Sequence, residues 1–200
     1  MATPTGNRPL RADAQRNHDR IIEAAHAAFA EGGLEVSMEE IARRANVGPA
    51  TLYRRFPRKQ QLLRAILDVR LAELEPEILA ACADPDPWRG LCAGMLALLD
   101  IQARNMAFVQ VLAAAGELPQ LKRELGERVL APLCELFARA QAAGAVRADL
   151  EPQELPVLIR MVATTISRDA HGAASQGWRR YLALLADALR TGAPSTLPRR

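Results

Sequence analysis

Ala50, Thr51 and Arg54 sit within a run whose residue types and spacing suit the reading of nucleic acid. The run, residues 37–56, reads Ser-Met-Glu-Glu-Ile-Ala-Arg-Arg-Ala-Asn-Val-Gly-Pro-Ala-Thr-Leu-Tyr-Arg-Arg-Phe. Leu52 and Phe56 lie four apart, so a helix that buries both turns Ala50, Thr51 and Arg54 outward. A methyl, a hydroxyl and a guanidinium on one exposed face can meet base edges in the DNA major groove.

Two helices must present those side chains. Ser37 followed by Glu40 is a capping box that starts the first, with Met38, Ile41, Ala42 and Ala45 on its inner face. Asn46 tolerates the left-handed conformation that stops a helix, and Val47 plugs the turn. Gly48 opens the second helix with Pro49 at its first position, where a missing N–H costs nothing. Pro57 ends that helix near Phe56, because a residue before proline resists helix. Two short helices around a tight apolar turn form a helix-turn-helix, which lays its second helix in the major groove. Short helical hairpins also occur in all-α proteins that never meet DNA, so charge and context must separate the two readings.

The charge separates them in part. Residues 1–60 carry ten arginines and lysines against seven acids, whereas the remaining residues carry sixteen of each. The whole net charge of +3 therefore lies with the helix-turn-helix, where phosphates would be met. Only Lys59 and Lys122 are lysine among 26 basic residues, an arginine bias that fits a GC-rich bacterial genome. Half of the 200 residues are apolar, enough for a buried core. Cys82, Cys92 and Cys134 have neither zinc nor redox spacing and read as buried thiols of a reducing cytoplasm. No apolar run reaches the roughly 18–20 residues of a membrane span, and the first residues lack the apolar core of a secretory signal. A soluble, cytoplasmic protein without metal or cofactor is expected.

The periodicity predicts an all-α fold of about nine helices. Residues 1–13 and 193–200 read as flexible tails, 14–74 as a three-helix DNA-binding domain and its exit helix, and 75–192 as a second helical domain. A first helix is expected over 16–31, ended by Gly32-Gly33, with His18 and His26 on its surface. The helix from Arg58 should kink or end at Pro76. Lys59 stands in its first turn, where the helix dipole disfavours a cation; a phosphate contact there would explain it, as would simple exposure. A long helix over 119–143 should kink at Pro132 and stop at Gly144. Two more helices, beginning near Asp149 and at Trp178, close the chain.

The chain resembles the TetR (tetracycline-repressor) family of transcriptional regulators. The resemblance rests on Arg20-Ile21-Ile22-Glu23-Ala24-Ala25, Phe29-Ala30-Glu31-Gly32-Gly33, Ile41-Ala42-Arg43-Arg44-Ala45 and Thr51-Leu52-Tyr53-Arg54-Arg55-Phe56 followed by Lys59. It implies a homodimer joined through its last two helices, near-palindromic double-stranded operator DNA as partner, and a small-molecule effector in the C-terminal domain. Matched positions imply phosphate contacts by Ser37, Arg44, Tyr53 and Lys59, and proximity to bases for Pro49, Ala50, Thr51 and Arg54. The family's usual serine at the start of the recognition helix is Gly48 here, and Pro49 replaces a common basic residue, leaving an apolar groove contact.

Asp100, Gln102, Asn105, Gln110, Thr164 and Thr165 are polar groups scattered along otherwise buried helices. With the aromatic rings of Phe108 and Phe137 they outline a candidate effector site, and the scarcity of aromatics favours a lipophilic, weakly polar ligand. Ile159, Val162, Ile166, Leu184, Leu185 and Leu189 carry more apolar surface than one core side requires and are the expected dimer face. Two other readings compete: a helical enzyme using the apolar domain as substrate pocket, and a dimeric adaptor. No His-Glu-x-x-His, nucleotide-binding glycine loop or other catalytic constellation supports the enzyme.

Overall fold

The computed structural model describes residues 8–104, 119–166 and 177–192. Those up to Val69 form one compact unit, and those from Arg70 onward belong to a second.

The first unit contains α1 (Arg8–Gly32), α2 (Met38–Arg44), α3 (Pro49–Arg55) and the start of α4 (Lys59–Ala83). Helix α1 begins at Arg8, so residues 8–13 are helical rather than a tail. Two arginines, a leucine and an alanine in that stretch favour helix, and Pro9 falls in the first turn, where proline is tolerated. Ile21, Ile22, Ala25, Ala28 and Phe29 of α1 are buried with Met38, Ile41, Ala42 and Ala45 of α2, Leu52 of α3 and Phe56 after it. Leu62, Leu63, Ile66 and Leu67 of α4 complete this core.

In the second unit, α5 (Pro87–Arg104) packs against α7 (Ala131–Ala142), α8 (Leu155–Ala163) and α9 (Gly177–Leu189). It is buried on most sides through Leu91, Met95, Leu98, Leu99, Ile101 and Ala103, with Gly90 and Gly94 allowing close approach. At Gly90 an added Cβ would lie 2.3 Å from the Ala81 carbonyl oxygen, so only glycine fits.

The two prolines expected to distort helices lie in different settings. Helix α4 runs through Pro76 without ending. The helix expected over 119–143 is divided into α6 (Pro119–Leu125) and α7 by a π turn at Gly126–Leu130, one turn before Pro132. Pro132 has no N–H for the Arg128 carbonyl, and its ring crowds that oxygen. The backbone widens upstream instead, the Ala131 N–H bonding to the Gly126 carbonyl five residues back. Gly144 ends α7 at φ 73°, as its sequence position predicts. Val146 and Arg190 form an isolated antiparallel bridge that ties this corner to the end of α9. No strand is present among the described residues.

Candidate nucleic-acid interface

Local backbone chemistry builds the helix-turn-helix as its sequence predicts. The Ser37 hydroxyl oxygen accepts from the Glu40 N–H at 3.1 Å and caps α2. The reciprocal half of the capping box is absent, because the Glu40 carboxylate is taken by two arginines. Asn46 adopts φ 52°, and the Val47 N–H reaches back to the Ala42 carbonyl at 3.0 Å, closing the turn. Gly48 caps α3 without a side chain, Pro49 holds the first turn, and α3 stops at Phe56. Leu52 and Phe56 are buried, which leaves Pro49, Ala50, Tyr53 and Arg54 exposed and Thr51 half-buried.

The ionic surroundings were only partly readable from sequence. Arg43 donates to both carboxylate oxygens of Glu40, at 2.8 and 2.7 Å. Arg44 donates to Glu40 at 2.8 Å and to Glu31 of α1 at 2.6 Å. The hydrogen bonds from Arg43 and then Arg44 lower the Glu40 carboxyl to about 2. The Tyr53 hydroxyl donates to Glu39 at 2.8 Å, joining α3 to the first turn of α2. That bond lowers the Glu39 carboxyl, helped by its own backbone N–H and by the Ser37 hydroxyl, and raises the Tyr53 phenol. The spacing of Glu40 three and four residues before Arg43 and Arg44 was a legible signal. Glu39 and Glu31 gave none, because their partners lie fourteen and thirteen residues away.

Lys59 and His18 both have partners within this unit. The Lys59 ammonium donates to the Leu34 carbonyl and lies 5.6 Å from the Phe29 ring centroid, so it braces α1 against α4. This inward bond accounts for a cation in a helix's first turn without a phosphate. His18, expected at the surface, stacks on Phe56 with ring centroids 5.4 Å apart. Its Nδ1 accepts from Arg55 Nε at 3.2 Å, so the end of the recognition helix is held to α1. A shallow groove of about 370 Å³ also lies between α1 and α2, lined by Arg20, Glu23, Ala24, Ala27, Arg44, Ala45 and Asn46.

Several of the expected effector residues have local partners. Asp100 pairs with Arg104 at 2.8 Å and with Arg179 of α9. Thr164 donates to the Met161 carbonyl and Thr165 to the Val162 carbonyl, each at 2.7 Å. Such bonding to a carbonyl three residues back is a local habit of threonine. Gln102 is buried, with 6% of its surface exposed, and Phe137 is fully buried. Asn105, Phe108 and Gln110 lie outside the described residues. The three cysteines are free and half-buried, and burial raises each thiol pKa. Among the described residues no group of His, Cys, Asp and Glu is arranged to hold a metal ion, and no helix is long and apolar enough to cross a membrane.

This geometry defines the class of helix-turn-helix regulators built on an all-α scaffold. Residues 21–66 match the family model for bacterial regulatory proteins of the tetR family, and 86–191 match that for the C-terminal domain of SbtR-like transcriptional regulators. The chain belongs to the TetR family of bacterial regulatory proteins. It is 33% identical to a TetR transcription regulatory protein from Mycobacterium vanbaalenii, over 92% of this chain and 100% of that one, with a TM-score of 0.57. A TetR transcriptional regulator from Streptomyces coelicolor is 29% identical over 88% and 99% of the two chains, with a TM-score of 0.58. An HTH-type transcriptional regulator of Staphylococcus aureus is 46% identical over 54 residues, which span 26% of this chain and 29% of that protein.

The environment of His18 generates a pH prediction. Burial, then the Arg55 charge, lowers its pKa below 6.5, against a smaller opposing effect of Asp19. A lowered folded-state pKa means that neutral His18 stabilises the fold above 6.5 and that this contribution is lost as pH falls through the folded value. Melting temperature should therefore drop on acidification through this range, and His18→Phe, which keeps the stack on Phe56, should flatten that drop. Histidine NMR should show His18 titrating below 6.5.

Proposed function

We propose that this protein is a DNA-binding transcriptional repressor whose grip on a near-palindromic operator is released by a small-molecule effector. The observation that carries the reading is the recognition helix itself. Leu52 and Phe56 anchor α3 while Pro49, Ala50 and Arg54 stand exposed, and Arg54 has no partner among the described residues. Thr51 and Arg54 read bases, with Pro49 and Ala50 against the groove wall near Gly48. Ser37, Arg44 and Tyr53 meet phosphates.

The operator partner is read by a homodimer formed through α8 and α9. Ile159, Val162, Ile166 and Leu189, expected at the dimer face, are buried within the chain's own core. The exposed apolar residues are instead Met161 (62%), Leu184 (54%), Tyr181 (49%) and Val157 (44%). Val157 and Met161 lie four apart on α8, and Tyr181 and Leu184 three apart on α9, so each pair shares a helix face. Leu184 is the one residue common to the expected and exposed sets. An isologous contact through these faces would set recognition helices about 34–36 Å apart.

The effector reading is supported by one buried group. Trp178 is fully buried, and its Nε1–H has no acceptor among the described residues. Such an orphan donor costs about 1–3 kcal/mol, which an acceptor oxygen on a largely apolar ligand would recover. A ligand that prefers the form unable to fit the operator by about 100-fold would supply roughly 2.7 kcal/mol against DNA binding. Helix α4 contributes residues to both units, and Glu75 on it accepts from Arg128 in the π turn at 2.5 Å. That bond connects the distortion before Pro132 to α4, the two elements expected to shift.

Three measurements test the proposal. Binding to the chain's own upstream DNA should fall by about 1–3 kcal/mol for Thr51→Ala and Arg54→Ala, with much less change on unrelated duplex. Unchanged operator preference in both variants would overturn the placement of α3. The wild type should sediment as a dimer at micromolar concentration and Met161→Glu/Leu184→Glu as a folded monomer, whereas a dimeric double variant would overturn the proposed interface. A thermal-shift screen of lipophilic compounds should find one that both stabilises the protein and releases operator; a compound set that does neither counts against the release mechanism.

A further inference from the structure

Tyr53 and Arg44, proposed to meet phosphates, already hold negative partners, as does their neighbour Arg43. Tyr53 gives its hydroxyl proton to Glu39, Arg44 is shared between Glu31 and Glu40, and Arg43 uses two donors on Glu40. Arg54, the proposed base reader, carries no such partner among the described residues. The division follows function: groups that would meet the backbone are engaged, and the group that would meet bases is free.

A phenolic hydroxyl has one proton, so Tyr53 cannot donate to Glu39 and to a phosphate together. Arg43 faces the same exchange, because a carboxylate and a phosphate take the same paired donors of a guanidinium. Each carboxylate also repels the incoming phosphate. Non-specific DNA binding is almost wholly phosphate attraction, whereas specific binding adds base contacts. Intramolecular acids on the phosphate-binding groups therefore weaken non-specific binding by a larger fraction than specific binding.

We propose that Glu39, with Glu40 and Glu31, acts as an internal phosphate mimic that suppresses binding to non-cognate DNA and so sets the protein's specificity ratio. The proposal rests on the DNA-binding reading above. It gives Glu39 a positioning role: the carboxylate holds Tyr53 away from DNA until a well-placed phosphate displaces it. Glu40 and Glu31 do the same for the α2 arginines.

The test is fluorescence anisotropy with two duplexes, a short mixed-sequence duplex and the chain's own upstream DNA, across a salt series. Glu39→Gln keeps the side chain's shape and removes its charge. It should bind the mixed-sequence duplex several-fold tighter at low salt, and should gain less on upstream DNA. Glu40→Gln should behave alike and stands in should Glu39→Gln fail to fold. The decisive arm is Tyr53→Phe, which has no hydroxyl to compete for. In that background the gain from Glu39→Gln should largely vanish. An equal gain there would reduce the effect to one lost negative charge and overturn the proposal, as would unchanged or weaker binding by both glutamine variants. Wild-type protein that binds neither duplex even at low salt would overturn the DNA-binding reading itself, whereas wild-type binding with no response to either glutamine overturns only the mimic.

Discussion

The recognition helix depends on two buried side chains. At seven residues, α3 is far too short to be stable by itself, since isolated helices below about 12–15 residues are marginal in water. Its helicity is supplied from outside, by Leu52 and Phe56 buried in the core that α1, α2 and α4 build. Burying such a side chain is worth roughly 1.5–3 kcal/mol, a favourable contribution set against the entropy lost in ordering two turns. His18 adds a second tie at the far end by stacking on Phe56 and accepting from Arg55. The exposed face of α3 is therefore set by what its hidden face grips.

The charges around that helix work in the opposite sense to a simple basic patch. The excess positive charge of the first sixty residues is real, yet Arg43 and Arg44 of α2 are compensated locally by Glu31 and Glu40. Lys59 spends its charge on a backbone carbonyl and an aromatic face. Exposed pairs of this kind contribute little stability, so fold maintenance is a weak reason for them. Control of how strongly, and to what, the surface adheres is a better one.

The second unit shows how one residue type has different consequences by position. Pro76 lies within a continuous helix, while Pro132 is accompanied by a π turn upstream of it. Arg128, inside that turn, pairs with Glu75 on α4, which links the distorted segment to that helix. Asp100 likewise joins α5 to α9 through Arg179. Polar groups on these helices are largely used to connect elements, whereas the buried indole N–H of Trp178 has no acceptor among the described residues.

What the sequence alone determined about this protein is its local punctuation and its class. Ser37, Asn46, Gly48-Pro49, Pro57 and Gly144 act on the backbone within a few residues, so their effects could be read without knowing the rest of the fold. The periodic apolar residues of α1, α2 and α3 were legible for the same reason. Tertiary structure alone decided which groups meet across distance. Helical periodicity marks Ile159, Val162, Ile166 and Leu189 as apolar but cannot say whether they face the chain's own core or a partner; packing against α5 and α7 assigned them inward and left Val157, Met161, Tyr181 and Leu184 outside. Lys59, His18, Glu39 and Asp100 found partners fourteen to seventy-nine residues away in sequence, where no local pattern could point to them. Short-range backbone preference is written in the order of residues, whereas the partner of a long polar side chain exists only once the helices have been brought together.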